Sequence, residues 1–357
     1  MIVVVLFHLC RAWPEGGFLG VDIFFALSGF LITTLLLQEA RRTGDISLRS
    51  FAVRRALRLY PALVAIAGVS LAYSILARPD IAPLRHILNT SAVLLYVANF
   101  EQIADSTGWF GGLPHTWSLA IEVHFYLLWS LTVAWVVRRN ARPARQLLLI
   151  ALGTAAASWL WRVHLWHDGA VWLRLYLGTD TRLDGLFLGS AAACWRFGVA
   201  AAPRAADGRI AGGLTALGAF GVILALVSLV PWQEGGFPHW VGFAAAGAAT
   251  SLLILVVVDS PNSIAARALG NPVFAWFGRI SYSLYLWHVP VLKALSSERL
   301  EARGVPMLAA ESIRVALCVV VALGSYYVVE RGAMALGSRL LKRRARPSCV
   351  VAVGTQS

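Results

Sequence analysis

RRNARPAR, residues 138–145, separates two apolar stretches, 117–137 and 146–164, and the side of the membrane on which it lies decides how the whole chain threads. Eight more apolar stretches lie near 1–11, 20–38, 59–77, 183–197, 210–230, 240–258, 280–296 and 312–330, in lengths that argue for membrane helices. ILNTSAVLLYVANF (87–100) is shorter and more polar, which fits a re-entrant or interfacial segment. If that segment crossed, RRNARPAR would face outward. If it does not, Lys and Arg fall about two to one on the side holding 39–58, 138–145, 198–209, 259–279 and the chain from 331, which the positive-inside rule makes cytoplasmic. Acidic residues divide the opposite way. The expected fold is therefore an all-α polytopic bundle of about ten transmembrane helices, with both ends cytoplasmic.

Composition supports this. Of the 357 residues 58% are hydrophobic and 14% charged, with mean hydropathy +0.69, which places the chain in the membrane class. Fourteen Trp and nine Tyr suit a protein with two water interfaces. The net charge of +13 is carried by 29 Arg and 2 Lys. Topology accounts for most of it, so the partner it implies is the lipid bilayer and not nucleic acid. Cys10, Cys194, Cys318 and Cys349 stand far apart without metal-ligand spacing, so neither a disulfide framework nor a metal site is expected. There is no cleavable signal, no internal repeat and no Walker-type or G-x-G-x-x-G loop.

His8 lies in the opening run MIVVVLFHLC, with Glu15 and Asp22 following. An ionisable residue at membrane depth is costly enough to mark function, and a neutral imidazole suits a general base. A histidine satisfied by a neighbouring helix is the alternative. The eight residues to His8 rise only about 12 Å, well under a bilayer core of about 30 Å, so the first helix reads as truncated.

Further on, RSFAVRRALRLYPAL gathers Arg54, Arg55 and Arg58 on adjoining helix faces before Pro61. Guanidinium forks at a cytoplasmic helix start suit phosphates, although an ordinary positive-inside anchor would look the same. In LPHTWSLAIEVHFYLLW, His115, Ser118, Glu122 and Tyr126 fall within roughly 80° of helix surface, with His124 off the stripe. Glu122 needs a partner, for example an Arg on another helix. TDTRLDGLFLG (179–189) puts Asp180 and Asp184 on one face and Arg182 elsewhere, as ion pairs or substrate contacts. In GRISYSLYLWHVPV, Ser281, Tyr285 and His288 share a stripe about 60° wide, and Glu330 follows in YYVVERG. His164 with Asp168 imitates a motif of soluble acyltransferases without the rest of such a protein. His164 and His167 lack further ligands for a metal.

Taken in order, LFH at His8, GGFLGVDIFFALSGFLIT, RRALRLYPA, HTWSLAIEVHFYLLW, TRLDGLFLG, GRISYSLYLWH and YYVVER resemble the acyltransferase-3 family of bacterial membrane O-acyltransferases. The resemblance runs from residue 1 to about 331. It implies a transmembrane domain over 1–331 with a basic cytoplasmic tail over 332–357, in the bacterial cytoplasmic membrane. It also implies transfer of an acetyl or short acyl group from cytoplasmic acyl-CoA, a co-substrate and not a bound cofactor, to a hydroxyl of a glycan, glycolipid or hydroxylated metabolite. His8 matches the family's catalytic histidine, as base or as transient acyl carrier. Arg55 and Arg58 match its R-x-x-R donor motif, and Glu122 the acidic position of W-S-L-x-x-E. His115, Ser118, Tyr126, Arg182, Asp184, Ser281, Tyr285 and His288 would line the substrate path.

Two departures stand out. The family's first-helix Arg, eleven positions before the histidine, would fall before Met1, which fits a chain shortened at its start or a degenerate relative. Val123 and His124 stand where many relatives read Glu-Gln. An appended hydrolase-like domain, which some relatives carry, is not expected. The rival reading is a multi-pass transporter or flippase of a polar or lipid-linked substrate, against which stands the absence of repeat halves.

Overall fold

The computed structural model describes residues 1–9, 14–78, 80–105, 111–198, 209–231, 236 and 238–344. Among them every regular element is helical. Cys10, Cys349 and the tail beyond 344 lie outside the described residues.

Helix α1 (Ile2–Leu9) leads through a 3-10 turn at Glu15–Leu19 into α2 (Gly20–Thr43). Gly44 ends α2 with φ of 78° and returns its N–H to Ala40, a backbone state that glycine adopts without strain. Helix α3 (Leu48–Ala77) starts on a Ser47 cap that accepts from the Ser50 N–H. In the link between them, Arg138 donates to Asp45 at 2.9 Å and holds its carboxyl below the usual carboxylate range.

The stretch expected not to cross is two short helices, α4 (Pro83–Leu94) and α5 (Ala98–Ala104). They break at Tyr96, whose φ is 56°. The remaining elements are α6 (Trp117–Arg139), α7 (Pro143–His167), α8 (Trp172–Leu177), α9 (Leu183–Gly198), α10 (Arg209–Leu229), α11 (Phe243–Asp259), α12 (Ile264–Leu269), α13 (Pro272–Ala294), α14 (Ser297–Glu301), α15 (Met307–Ser325) and α16 (Arg331–Arg344). A π-helical turn at Tyr326–Glu330 joins the last two and buries Glu330. The basic segment expected as a tail opens as α16, packed on α3.

Among the described residues seven helices are long and apolar enough to cross a membrane, within Glu15–Thr43, Leu48–Ala77, Pro114–Arg139, Pro143–His167, Gly212–Leu229, Trp240–Asp259 and Met307–Gly337. The chain is a multi-pass membrane protein. The other three expected spans fall on helices of a different kind. Helix α1 has 8 residues, α13 has 23 but is less apolar, and α9 has 16, about 24 Å of rise. Short α9 runs through the centre, packed by α2, α7 and α11.

Small residues let α9 approach α2. A Cβ on Gly29 would stand 1.9 Å from the Leu186 carbonyl oxygen, and one on Gly189 would stand 2.0 Å from that of Ala26. This is backbone-to-backbone contact of the kind small residues permit between membrane helices. Gly29→Ala or Gly189→Ala forces the pair apart, with an expected loss of about 1–3 kcal/mol or more. Gly153→Ala in α7, where nothing lies within 4 Å, should leave stability unchanged or slightly raised. Thermal unfolding of the three variants in one detergent reads the contrast.

Candidate active site

In α1, the His8 Nδ1–H donates to the Val4 carbonyl at 2.8 Å. That bond assigns the tautomer and leaves Nε2 as an acceptor. The ring opens onto a cavity of about 250 Å³, whose walls are mostly aromatic and aliphatic and include Phe7, Phe18, Trp117, Trp172, Tyr176 and Val289. Gln102, His115, Tyr285 and Lys293 supply its other polar groups.

Three imidazoles meet here. The His8 and His288 ring centres are 5.0 Å apart, and those of His288 and His115 are 5.1 Å apart. Each ring commits one nitrogen to a backbone carbonyl: His288 Nδ1 to Tyr285 at 2.6 Å, and His115 Nε2 to Leu286 at 3.1 Å. The second bond has a cause in the sequence. Pro290 lies inside α13 and has no N–H, so the carbonyl four residues earlier, that of Leu286, lacks its helical donor. His115 supplies one from the 3-10 turn Pro114–Thr116 that leads into α6. Tyr285 ties the same helices together, its hydroxyl donating to the His115 carbonyl at 2.5 Å while accepting from Ser118 Oγ at 2.5 Å.

Deeper along α6 the stripe continues. Glu122 is buried and accepts from the Tyr126 hydroxyl at 3.2 Å, while Ser28 Oγ donates to that hydroxyl at 2.8 Å. The expected arginine partner is not found: among the described residues Glu122 forms no ion pair, and Arg55 stands 6.0 Å from the Tyr126 ring centre and 5.8 Å from that of Phe51. Arg54 is engaged elsewhere, bonding Glu39 at 2.9 Å. Glu330 bonds Ser283, and Tyr282 bonds the Leu59 carbonyl at 2.7 Å, so α13 and the π-helical turn close this end against α3. The stripe thus runs from His115, at the cavity beside His8, along α6 to Tyr126 and the nearby Arg55 of α3. His124 is off the stripe, stacked on Phe100 and bonded to Thr179 at 3.0 Å.

Of the residues expected on the substrate path, His115 and Tyr285 line the cavity, Ser118, Tyr126 and His288 lie outside its lining, and Arg182, Asp184 and Ser281 stand elsewhere. Arg182 pairs with Asp22 at 2.9 Å, and Asp184 pairs with Arg162 at 2.6 Å, all four being buried. Neither Arg182 nor Asp184 lines the cavity. The Arg182 guanidinium lies 3.6 Å from the Phe243 ring centre and 5.0 Å from that of Tyr176, so it braces the wall from behind. Ser281 turns its hydroxyl to the Gly278 carbonyl and does not join Tyr285 and His288. At that depth α13 buries Tyr282 and Ser283, and Ser281 falls outside the packed arc. Asp180 is bonded to Arg174 and Trp161 near the surface.

Ser28, Arg162, Trp172, Tyr176 and Lys293 were not anticipated. Arg162 carried a signal, since a charge within an apolar span calls for a partner. Lys293 is one of only two lysines. Among the described residues no set of three His, Cys, Asp or Glu is placed to hold a metal ion.

The site thus sets a histidine on a cavity of a helical membrane bundle, with the polar stripe of α6 running from there toward Arg55 of α3. The chain belongs to the acyltransferase family whose profile, described as an acyltransferase domain, matches residues 1–329. It is similar to the O-acetyltransferase OatA of Staphylococcus aureus strain NCTC 8325, at 33% identity over 310 residues, 83% of this chain and 49% of that protein. It is likewise similar to the peptidoglycan O-acetyltransferase OatA of Listeria monocytogenes, at 33% over 305 residues, 82% and 47%. The chain spans about half the length of these relatives. No solved structure matches it.

Proposed function

We propose that the protein moves an acetyl or short acyl group from cytoplasmic acyl-CoA to a hydroxyl of an extracytoplasmic or lipid-linked glycan, in the bacterial cytoplasmic membrane with both ends inside. The observation that supports this reading is the α6 stripe, which runs from beside the His8 cavity to Tyr126, within 6.0 Å of whose ring Arg55 lies. The peptidoglycan substrate in the name of the Listeria relative supports a glycan acceptor. His8 Nε2 takes the proton of the acceptor hydroxyl as its oxygen attacks the thioester carbonyl. The C–S bond breaks, and the CoA thiolate leaves to be protonated in turn. Arg55 and Arg58 hold the donor's phosphates by charge-assisted bonds, with Arg55 positioned by the Phe51 and Tyr126 rings. Glu122 and Tyr126 form the polar lining between donor and acceptor.

The test is release of CoA thiol by purified protein given acetyl-CoA and a solubilised glycan. Release should require both, and an ester should appear on the glycan. Acceptor movement without thiol release would favour a transporter and overturn the reading. With Arg55→Gln and Arg58→Gln combined, KM for the donor should rise about tenfold or more, as expected for losing charged hydrogen bonds, while KM for the acceptor stays within about twofold. A change confined to the acceptor would remove the donor role.

A further inference from the structure

Among the described residues Tyr96 is the one non-glycine with a positive φ, a state it shares with Gly44, Gly111, Gly169 and Gly304. Its place in the chain explains the value. Helix α4 ends in a Schellman motif, in which the Val97 N–H returns to the Ala92 carbonyl at 2.9 Å and the Tyr96 N–H to that of Val93 at 3.1 Å. Tyr96 thus holds the left-handed position that glycine takes by default, because a Cβ is strained there. A bulky side chain kept in such a state points to a use for that side chain. The surroundings pin the break in place. Asn99 of α5 is fully buried and donates to the Thr179 hydroxyl at 3.0 Å, Gln102 donates to the Pro114 carbonyl at 3.0 Å, and His124 stacks on Phe100 while bonding Thr179.

What the turn delivers is the Tyr96 ring. Helix α4 packs on α3 and α5 packs on α6, so the break between them brings Tyr96 between the helix of Arg55 and the helix of Glu122. The ring centre lies 6.4 Å from that of Tyr60, two residues past Arg58 on α3. The ring packs against a buried cluster that includes Leu63 of α3, Leu119 of α6 and Tyr282 of α13. Its hydroxyl is near enough to Glu122 and Tyr282 to interact electrostatically with both, yet it forms no hydrogen bond among the described residues. A half-buried hydroxyl of this kind is satisfied by bonding a ligand. Resting on the acyl-transfer reading, we propose that Tyr96 is a donor-binding residue, whose hydroxyl bonds an amide of the coenzyme A arm as the arm runs from Arg55 and Arg58 along the α6 stripe. That arm joins the phosphates to the thioester and carries two amides, and a phenol hydroxyl can pair with the carbonyl or the N–H of either. The arginines hold the phosphates, and Tyr96 holds the arm.

Equilibrium binding to the full chain in detergent tests this with two ligands: CoA, which has both phosphates and arm, and adenosine 3′,5′-bisphosphate, which has phosphates and no arm. Tyr96→Phe keeps the ring and should weaken CoA about fivefold, the scale of one hydrogen bond, with bisphosphate affinity and melting temperature unchanged. Arg55→Gln combined with Arg58→Gln should weaken both ligands. Tyr96→Gly should bind CoA no better than Tyr96→Phe, and it should melt above Tyr96→Ala because glycine accepts the left-handed backbone. Unchanged CoA affinity in Tyr96→Phe would overturn the proposal, as would an equal loss for the two ligands. Tyr96→Ala melting at or above Tyr96→Gly would remove the strained turn on which it stands. A wild-type protein that binds neither ligand would instead remove the acyl-CoA reading beneath it.

Discussion

His8→Ala is expected to lower acyl transfer by about 10²–10⁴-fold, the usual contribution of a positioned general base, while the protein inserts and unfolds as wild type does. The geometry makes the effect specific to one atom. His8 Nδ1 is spent on the Val4 carbonyl, so Nε2 alone faces the cavity with a lone pair. His115 cannot substitute, because its ring is anchored through Leu286 on the other side of His288. His8→Gln keeps a polar group without a comparable base and should be nearly as inactive. Initial rates of ester formation, taken beside a melting curve for each variant, separate lost chemistry from lost folding. Transfer within threefold of wild type in a folded His8→Ala protein would remove His8 from the reaction.

The largest expected effect on stability belongs to Asp22. Asp22→Ala leaves Arg182 fully buried without its carboxylate, with Nε and Nη1 already lacking partners. Removing one member of a buried pair costs about 3–5 kcal/mol. The loss reaches the cavity, because Arg182 braces Tyr176 and Phe243 from behind. Adding Arg182→Met removes the stranded charge and should recover much of the stability, since replacing both members of such a pair by apolar groups is often neutral. Denaturation midpoints of the two single variants and the double variant test this. A double variant as unstable as the sum of its parts would show that the pair itself holds the fold.

What could be read in the sequence was what one helix decides alone. Long apolar runs, the position of RRNARPAR and the α6 stripe are local patterns, and the seven spanning helices and the line from His115 to Tyr126 follow from them. Pairings between helices were not legible. Arg182 meets an aspartate 160 residues away, and helical spacing says nothing about which helix lies opposite. Ser281 obeys the same periodicity as His288, yet two turns earlier α13 packs on α3 and the π-helical turn and buries a different arc. The imidazole cluster combines both kinds of cause. Pro290 is visible in the sequence and frees a carbonyl at Leu286, but only the tertiary approach of the Pro114–Thr116 turn to α13 brings His115 to use it.

The central claim, that acyl groups pass from a cytoplasmic donor to an outside acceptor through this bundle, is tested most directly in sealed proteoliposomes. Labelled acetyl-CoA is placed on the side of the Arg55 and Arg58 motif, with the glycan enclosed on the other. Esterified glycan should accumulate inside in step with CoA thiol outside, and both should vanish with His8→Ala. Ester formation only when donor and acceptor share a side, or glycan crossing unmodified, would contradict the account.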